Sequence, residues 1–372
     1  MTSKSQTADR IDIAVIGAGV AGLTAALSLQ TAGFSVTLFD KMPFPPENTS
    51  AIAGGMLAPF SESDVLPSAY ILAGLKGIAL WKGLLGDQHA ACLHVCGSLV
   101  LASQTRPAEF GDFAEPFSHT SHSWLRLDAE AISRLEPDLA RDQKDGIYLP
   151  DEAHLNPEKA LAILFARFLA AGGHFHIREV RPEDLADQFD RIVDCRGYIG
   201  DLQPDLRAVQ GEIVFIQQPE VCLSRPVRVI DHLTPFYIVP RGDGGFAIGA
   251  TAIANADIND WRIRVSSALR LLAFATDLVP GLKQARITGM SSGLRSAYPN
   301  LLPEIRLRND GRTIQINGLY RHGYLLSPVM AKCVVATVRG EFDEFLTLFS
   351  GKMNVPAVSL AEDKFAVLER RS

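Results

Sequence analysis

The sequence predicts an α/β protein of two domains, one wound around a parallel sheet and the other an antiparallel sheet inserted into it. Three observations carry this. The chain opens with an apolar run, a glycine-rich turn and a helical run. Elements of the same kind recur in the middle of the chain and return at its end. Between them the pattern changes to short β-runs separated by Pro, Gly and Asp. A length of 372 residues suits about two domains. With 47% hydrophobic and 21% charged residues there is ample material for a core.

Residues 11–16 (Ile-Asp-Ile-Ala-Val-Ile) read as a buried strand. Gly17, Ala18, Gly19, Val20, Ala21 and Gly22 follow, then a helical run to about Gly33, then an apolar segment, 34–39, closed by Asp40. This order of strand, turn, helix, strand and acid binds an adenine dinucleotide in a Rossmann-like unit. Gly17 permits the tight turn, Gly19 lets the backbone approach a pyrophosphate, and Gly22 lets the helix pack against the strand. The phosphates sit at the helix N-terminus, where unpaired N–H groups and the positive end of the dipole point at them. Asp40, 18 residues after Gly22, suits the ribose hydroxyls. The bland alternative is a glycine-rich turn in an ordinary βαβ unit. Both strands, the helix and the acid being in register argues against it.

Beyond Asp40, Pro43-Phe44-Pro45-Pro46 marks a loop. Residues 68–85 read as helix and 91–101 as strand. A short helix near 127–132 stops before Pro137. Asn156 suits an N-cap and Pro157 the first helical position, with Gly172-Gly173 ending that helix. Residues 174–180 and 191–195 read as strands. The β-runs 212–216, 227–230, 236–239 and 245–249 follow, then a helix over 261–278. Two further strands, the clearer at 313–317, lead to Gly318 and a last helix from about 328 to 339. The expected division is 8–90, 150–210 and 290–372 in the dinucleotide domain, with 91–149 and 211–289 in the substrate domain. A ligand then sits between them, at the C-terminal ends of the parallel strands.

A formal net charge of −6 offers no basic face for nucleic acid. Residues 13–29 carry no charge, but their three glycines favour strand, turn and helix over a membrane span. The first ten residues are polar, unlike a signal peptide. Five scattered cysteines (Cys92, Cys96, Cys195, Cys222, Cys333) fit reduced thiols in a cytoplasm. Cys92, His94 and Cys96 would share one face of a strand. Without a second cluster at zinc spacing they read as ordinary strand residues, so no metal is expected. His174 with His176, and His119 with His122, also lack a third ligand nearby in sequence.

Four segments place polar groups and flexible backbone where an interdomain pocket belongs. They are Ala53-Gly54-Gly55-Met56-Leu57-Ala58-Pro59; Tyr237-Ile238-Val239-Pro240-Arg241 with Gly249-Ala250-Thr251; Gly293-Leu294-Arg295; and Gly318-Leu319-Tyr320-Arg321-His322-Gly323-Tyr324-Leu325-Leu326-Ser327-Pro328. In these segments, in this order, the chain resembles the flavin-dependent amino-acid oxidases of the D-amino-acid oxidase type. Within them it is most similar to the glycine oxidases of thiamine biosynthesis. The resemblance covers nearly the whole chain.

The resemblance implies non-covalent FAD as the dinucleotide. It puts Val20 and Ala21 on the pyrophosphate, with Gly17, Gly19 and Gly22 shaping the turn. Asp40 and Lys41 fall on the adenosine ribose, and Val180 on adenine through its backbone. Thr49, Ser50, Gly54, Gly55 and Met56 line the flavin side. Leu319, Tyr320, Arg321, His322, Gly323, Tyr324 and Leu325 run along the isoalloxazine ring. Arg295 meets the substrate carboxylate, Tyr237 donates to the same group, and Arg321 lies near. A guanidinium suits that role because it binds a carboxylate bidentately. Taken singly, such an Arg is usually a surface or salt-bridged side chain, and Tyr237 would pass for a core-edge aromatic with a wet hydroxyl.

The implied reaction moves hydride from an amino acid to the flavin, leaving an imino acid. O2 takes the electrons and becomes hydrogen peroxide. No side chain is nominated as a general base. Glycine is the implied substrate, with thiazole formation downstream; thiazole-synthesis partners and a homo-oligomer are compatible with this. Three departures from the family pattern bear on the pocket. Ser296-Ala297-Tyr298-Pro299 follows Arg295, Pro235 stands where some relatives carry His, and Ala252 where they carry Met. The last two leave room for sarcosine or small D-amino acids. The competing readings are an amine or D-amino-acid dehydrogenase with another electron acceptor, a flavin-binding scaffold without turnover, and an NAD-dependent dehydrogenase.

Overall fold

The computed structural model describes residues 11–62, 67–103, 107–115, 122–200, 203–230, 236–254, 257, 260–309 and 311–350. Its first sheet has six strands in the order Glu304–Arg308, Thr313–Asn317, Arg191–Asp194, Asp12–Ile16, Ser35–Asp40, His174–Ile177. All neighbours are parallel except the edge pair Glu304–Arg308 and Thr313–Asn317. Ile13, Ala14 and Val15 are fully buried, as a central parallel strand requires. Helices Val20–Thr31 and Gly323–Arg339 share one core with this sheet, where Leu23, Leu27, Val329 and Met330 meet Val15 and Leu38.

The second sheet has nine strands. Its spine runs Ile253–Ala254, Arg207–Gln217, Gly245–Gly249, Phe236–Gly242, Val227–Ile230, Ser98–Ala102, Asp145–Leu149, Leu125–Asp128, with Arg286–Ala297 pairing Arg207–Gln217 as well. It is mixed rather than purely antiparallel, because Val227–Ile230 runs parallel to Ser98–Ala102. A small third sheet joins Met56–Leu57, Ala153–Leu155 and Leu93–His94.

Several elements depart from the sequence expectation. Two strands are expected between the 261–278 helix and Gly318, with bounds only for 313–317; the described residues hold three, and Arg286–Ala297 is one of the two without bounds. It is poor in apolar residues and carries Gly289 and Gly293, so neither alternation nor β-propensity marks it. The expected domain boundary at 290 falls inside it. The segment 91–101 is two strands, Leu93–His94 and Ser98–Ala102, broken by Gly97 at φ +76°. The short helix begins at Ala129, where Asp128 caps it by accepting from the Ala131 N–H at 2.9 Å. The helix expected from 261 begins at Val265.

The last long helix starts at Gly323 rather than 328, with Pro328 inside it. A proline there leaves the carbonyl four residues earlier without its helical donor. That carbonyl, on Tyr324, accepts instead from the Trp81 indole N–H at 2.8 Å.

Trp81 lies on Ala69–Leu85, which continues through a tight turn so that Ala69–Ala91 is long and apolar enough to cross a membrane by length and composition. This helix is packed into the core. A Cβ on Gly77 would overlap the Leu325 carbonyl oxygen, and one on Gly74 would come within 3.2 Å of the Leu325 side chain. All five cysteines are free. His94 stacks on His154 with ring centroids 5.0 Å apart, and Cys96 Sγ lies 3.6 Å from His154 Nδ1. Burial pushes the His154 pKa down to about 3 and the Cys96 thiol up to about 11. Among the described residues no group of three His, Cys, Asp or Glu side chains is placed to hold a metal. His119 lies outside the described residues.

Candidate active site

The glycine turn is shaped by close approach. Gly17 has φ +102°, and a Cβ on Gly22 would overlap the Gly17 carbonyl oxygen. Gly19 caps helix Val20–Thr31 without a side chain, and a Cβ there would come within 3.1 Å of Ser50 Oγ. Ser50 Oγ accepts from the Val20 N–H at 3.0 Å. Asp40 sits at the C-terminal end of its strand and accepts from the Ala18 and Met42 N–H groups at 2.6 and 2.9 Å. The same carboxylate that suits a ribose therefore clamps the turn. A Cβ on Gly323 would lie 3.5 Å from Val20 Cγ1, so the first turns of two helices converge on one spot. Both positive dipole ends serve the same space.

A second cluster forms where the two sheets meet. Arg295 and Gly211 lie on paired strands, in which Gly211 faces Gly293 and Val209 faces Arg295. A Cβ on Gly211 would overlap the Arg295 guanidinium, so the cation lies across bare backbone. Arg295 Nη1 donates to the Thr251 carbonyl at 2.9 Å. Tyr237 pairs with Gly249 across the neighbouring strands. Its hydroxyl would be 2.5 Å from a Cβ on Gly249 and 2.8 Å from one on Gly54. Tyr237 thus reaches from the second sheet to the loop after Asp40. Thr49 bridges the same gap, donating to the Leu294 carbonyl at 2.9 Å.

Burial sets the electrostatics. Desolvation lowers the Arg295 pKa below the ordinary guanidinium value, and the Arg321 charge adds to this. Desolvation also raises the Tyr237 hydroxyl, against the pull of Arg295, Arg321 and Arg241. Tyr237 stays a proton donor and Arg295 a cation in want of an anion. Arg321 lies 5.2 Å over the Tyr320 ring, and Tyr320 itself holds φ +47°. A non-glycine residue in that region is strained, which is common at functional positions.

The other expected residues are placed as follows. Gly55 is pressed against the Leu155 carbonyl and Pro157, and Met56 lies on the small sheet. Lys41 is exposed. The Val180 side chain is buried with Ala14, Ile16 and Phe39 of the central strands. Leu319 is half-buried. Tyr324 donates its hydroxyl to the Ser50 carbonyl at 2.8 Å, so it braces the turn-side loop. The Leu325 side chain packs on Gly74.

Three residues escaped the sequence reading. Arg241 is half-buried, donates to the Ala53 carbonyl and lies 5.6 Å over the Phe215 ring. It was visible in the Tyr-Ile-Val-Pro-Arg motif but received no role. Glu62 Oε2 lies 3.4 Å from His322 Nδ1. Glu152, fully buried, accepts from the Phe60 and Ser61 N–H groups at 2.8 and 2.7 Å. Nothing in the sequence pattern distinguishes Glu62 or Glu152 from other surface-type carboxylates.

The dinucleotide end fits FAD on the structure's own terms. A cradle at Gly19 is open where a Cβ would crowd Ser50, two helix N-termini converge, and an acid stands at the strand end. With the cation cluster beside it, the molecule has the build of a flavin-dependent oxidoreductase. The sequence profile of the DAO family, FAD dependent oxidoreductase, matches residues 12–337. The chain belongs to this family, and FAD is its cofactor. It is 40% identical over 321 residues to a Rhizobium etli protein named as a thiamine biosynthesis oxidoreductase, ThiO, covering 86% of this chain and 94% of that one. It is 25% identical to a bifunctional ThiO/ThiG protein of Trichormus variabilis, covering 87% of this chain and 52% of that one. The crystal structure of glycine oxidase from Geobacillus kaustophilus superposes with a TM-score of 0.81 at 25% identity, covering 92% of this chain and 98% of that one.

Proposed function

We propose that this oxidoreductase oxidises glycine, or an amino acid of similar size, to the imino acid, with dioxygen as electron acceptor. The observation that carries the reading is the convergence of Arg295 and Tyr237 over three positions without side chains, Gly211, Gly249 and Gly54. A cation and a hydroxyl donor face one small space beside the dinucleotide turn, which suits a short carboxylate. Relatives named ThiO and glycine oxidase support the choice of substrate.

In this reading Arg295 takes the carboxylate bidentately, Tyr237 donates a third hydrogen bond, and Arg321 adds positive charge. These contacts fix the Cα–H bond in one direction, and alignment is a large part of what a protein contributes to hydride transfer. When bound, FAD would supply the hydride acceptor and the route by which the electrons reach oxygen as hydrogen peroxide. Asp40 and the N-termini at Val20 and Gly323 hold the dinucleotide. Ser50, Gly54, Gly55 and Met56 line its flavin end. Lys41 and Val180 complete the adenosine side.

The two-domain division read from the sequence, a cytoplasmic setting and a partner in thiazole synthesis belong to the same proposal. Relatives named as bifunctional ThiO/ThiG proteins support the last. A visible spectrum of the pure protein tests the proposal, followed by glycine under air with peroxide detection. A yellow protein that bleaches with glycine anaerobically and forms peroxide in air is expected. Bleaching without peroxide would move the electrons to another acceptor, and no bleaching would remove glycine.

A further inference from the structure

The cationic cluster accounts for one end of an amino acid and leaves the other without a partner. Glycine enters mostly as a zwitterion, and its ammonium needs an acceptor before nitrogen can share a lone pair with carbon. The Glu62 side chain, largely buried, stands beside this cluster. Its Oε2 lies 3.4 Å from Nδ1 of His322, itself 1% exposed, and His322 follows Arg321 directly in the chain. The negative charge of Glu62 acts on both Tyr237 and Arg295, so the carboxylate shares their surroundings.

Its placement is built rather than incidental. Glu152 accepts from the N–H groups of Phe60 and Ser61 and from Ser61 Oγ, at 2.8, 2.7 and 2.8 Å. Those three bonds fix the backbone immediately before Glu62. On the other side, His322 sits at the N-cap of helix Gly323–Arg339. A buried carboxylate is costly unless a neighbour or a ligand compensates it. A histidine at 3.4 Å compensates only when it is protonated, whereas an arriving ammonium always carries the charge to do so.

Resting on the substrate placement given above, we propose that Glu62 is the counter-charge and proton acceptor for the substrate ammonium, with His322 as the positioning residue that holds the carboxylate in place. In the step itself one N–H bond of the ammonium breaks and an O–H bond forms on Glu62. The electron pair of that N–H bond stays on nitrogen. No redox change accompanies the proton. The proposal also assigns selectivity: the pocket has an anion at its amine end and rejects ligands that bring a second negative charge there.

The test compares ligands with and without an amine on the FAD-loaded protein. Glycolate keeps the carboxylate and replaces ammonium by a neutral hydroxyl. Its binding is read from perturbation of the flavin spectrum, and glycine from anaerobic flavin reduction. In Glu62→Gln the apparent affinity for glycine is expected to fall at least tenfold while glycolate binding changes less than threefold. In Glu62→Asp, which keeps the charge, part of the glycine affinity is expected to return. His322→Gln is expected to lower the rate of flavin reduction at saturating glycine more than it weakens glycolate.

Equal losses for glycine and glycolate in Glu62→Gln, or no loss for either, would overturn the assignment. The wild-type protein gives a check that needs no variant: malonate, a dianion, is expected to bind at least tenfold more weakly than acetate. Tighter binding of malonate would also overturn it. Failure of the carboxylate placement reads differently, as an Arg295→Met protein that binds glycolate unchanged.

Discussion

The Arg295 guanidinium occupies the space that a Cβ on Gly211 would need. The two residues sit on paired strands, with Gly211 opposite Gly293 and Arg295 two positions along. The missing side chain is thus what allows the cation to lie flat on the sheet and donate to the Thr251 carbonyl at 2.9 Å. Gly211→Ala should push the guanidinium off this seat while leaving the dinucleotide turn untouched. The expected result is a KM for glycine raised tenfold or more with unchanged FAD content. Steady-state kinetics beside a visible spectrum checks it.

Removing the cation itself is the stricter case. A charge-assisted hydrogen bond contributes about 1.5–3 kcal/mol, which corresponds to roughly 10- to 150-fold in apparent affinity. Arg295→Met should therefore raise KM by that order and keep FAD bound. Arg295→Lys should recover only part of it, because a point charge cannot reproduce the two-pronged contact. Unchanged kinetics in the Met variant would remove Arg295 from the carboxylate.

How much of this was legible in the sequence depends on how local the cause is. The turn at Gly17, Gly19 and Gly22 was readable because each glycine answers to a neighbour within one βαβ unit. So was the cap at Asn156, whose side chain accepts from the Lys159 N–H at 3.2 Å. The bounds of strand Arg286–Ala297 were not, because its pairing partner lies some eighty residues earlier and its own residues carry no alternation. The helix start at Gly323 was hidden for a similar reason. Pro328 reads as a first-turn residue until Trp81, far away in sequence, satisfies the Tyr324 carbonyl. Arg295 and Tyr237 emerged through motif resemblance. Glu62 and Glu152 stayed invisible, because only the folded chain shows what surrounds a carboxylate.

The Trp81 bond gives a prediction on stability. Trp81→Phe keeps an aromatic ring but removes the N–H that the Tyr324 carbonyl accepts. A buried carbonyl left without a partner costs about 1–3 kcal/mol. The unfolding free energy of the variant, from denaturant melts, should fall by that amount, with the midpoint lowered accordingly. A midpoint equal to wild type would mean that another donor replaces the indole.

Asp40 carries two tasks, and its removal should show both. Without its carboxylate the Ala18 and Met42 N–H groups lose their acceptor, and the turn beneath the phosphates loses its clamp. Asp40→Ala should emerge from gel filtration with markedly less flavin absorbance per chain. Excess FAD should restore activity in part, since the helix N-termini at Val20 and Gly323 remain.

Glu152 links pH to the loop that carries Glu62. Burial raises its pKa to about 6 from an ordinary 4.5, despite the hydrogen bonds from Phe60 and Ser61 that favour the charged form. The folded state therefore holds this proton more tightly than the unfolded one. The stabilisation it gives is complete below about pH 4.5 and is lost as pH rises through about 6. Over that window the contribution falls by about 2 kcal/mol, at about 1.4 kcal/mol per pKa unit. In Glu152→Gln the side-chain oxygen can still accept from the Phe60 and Ser61 N–H groups, but no proton is exchanged. The stability of wild type relative to Glu152→Gln should accordingly drop by about 2 kcal/mol between pH 4.5 and pH 7. Denaturant melts of both proteins at the two pH values measure this difference directly. A relative stability that rises over the same window would mean that the loop's N–H groups hold Glu152 ionised and outweigh its burial.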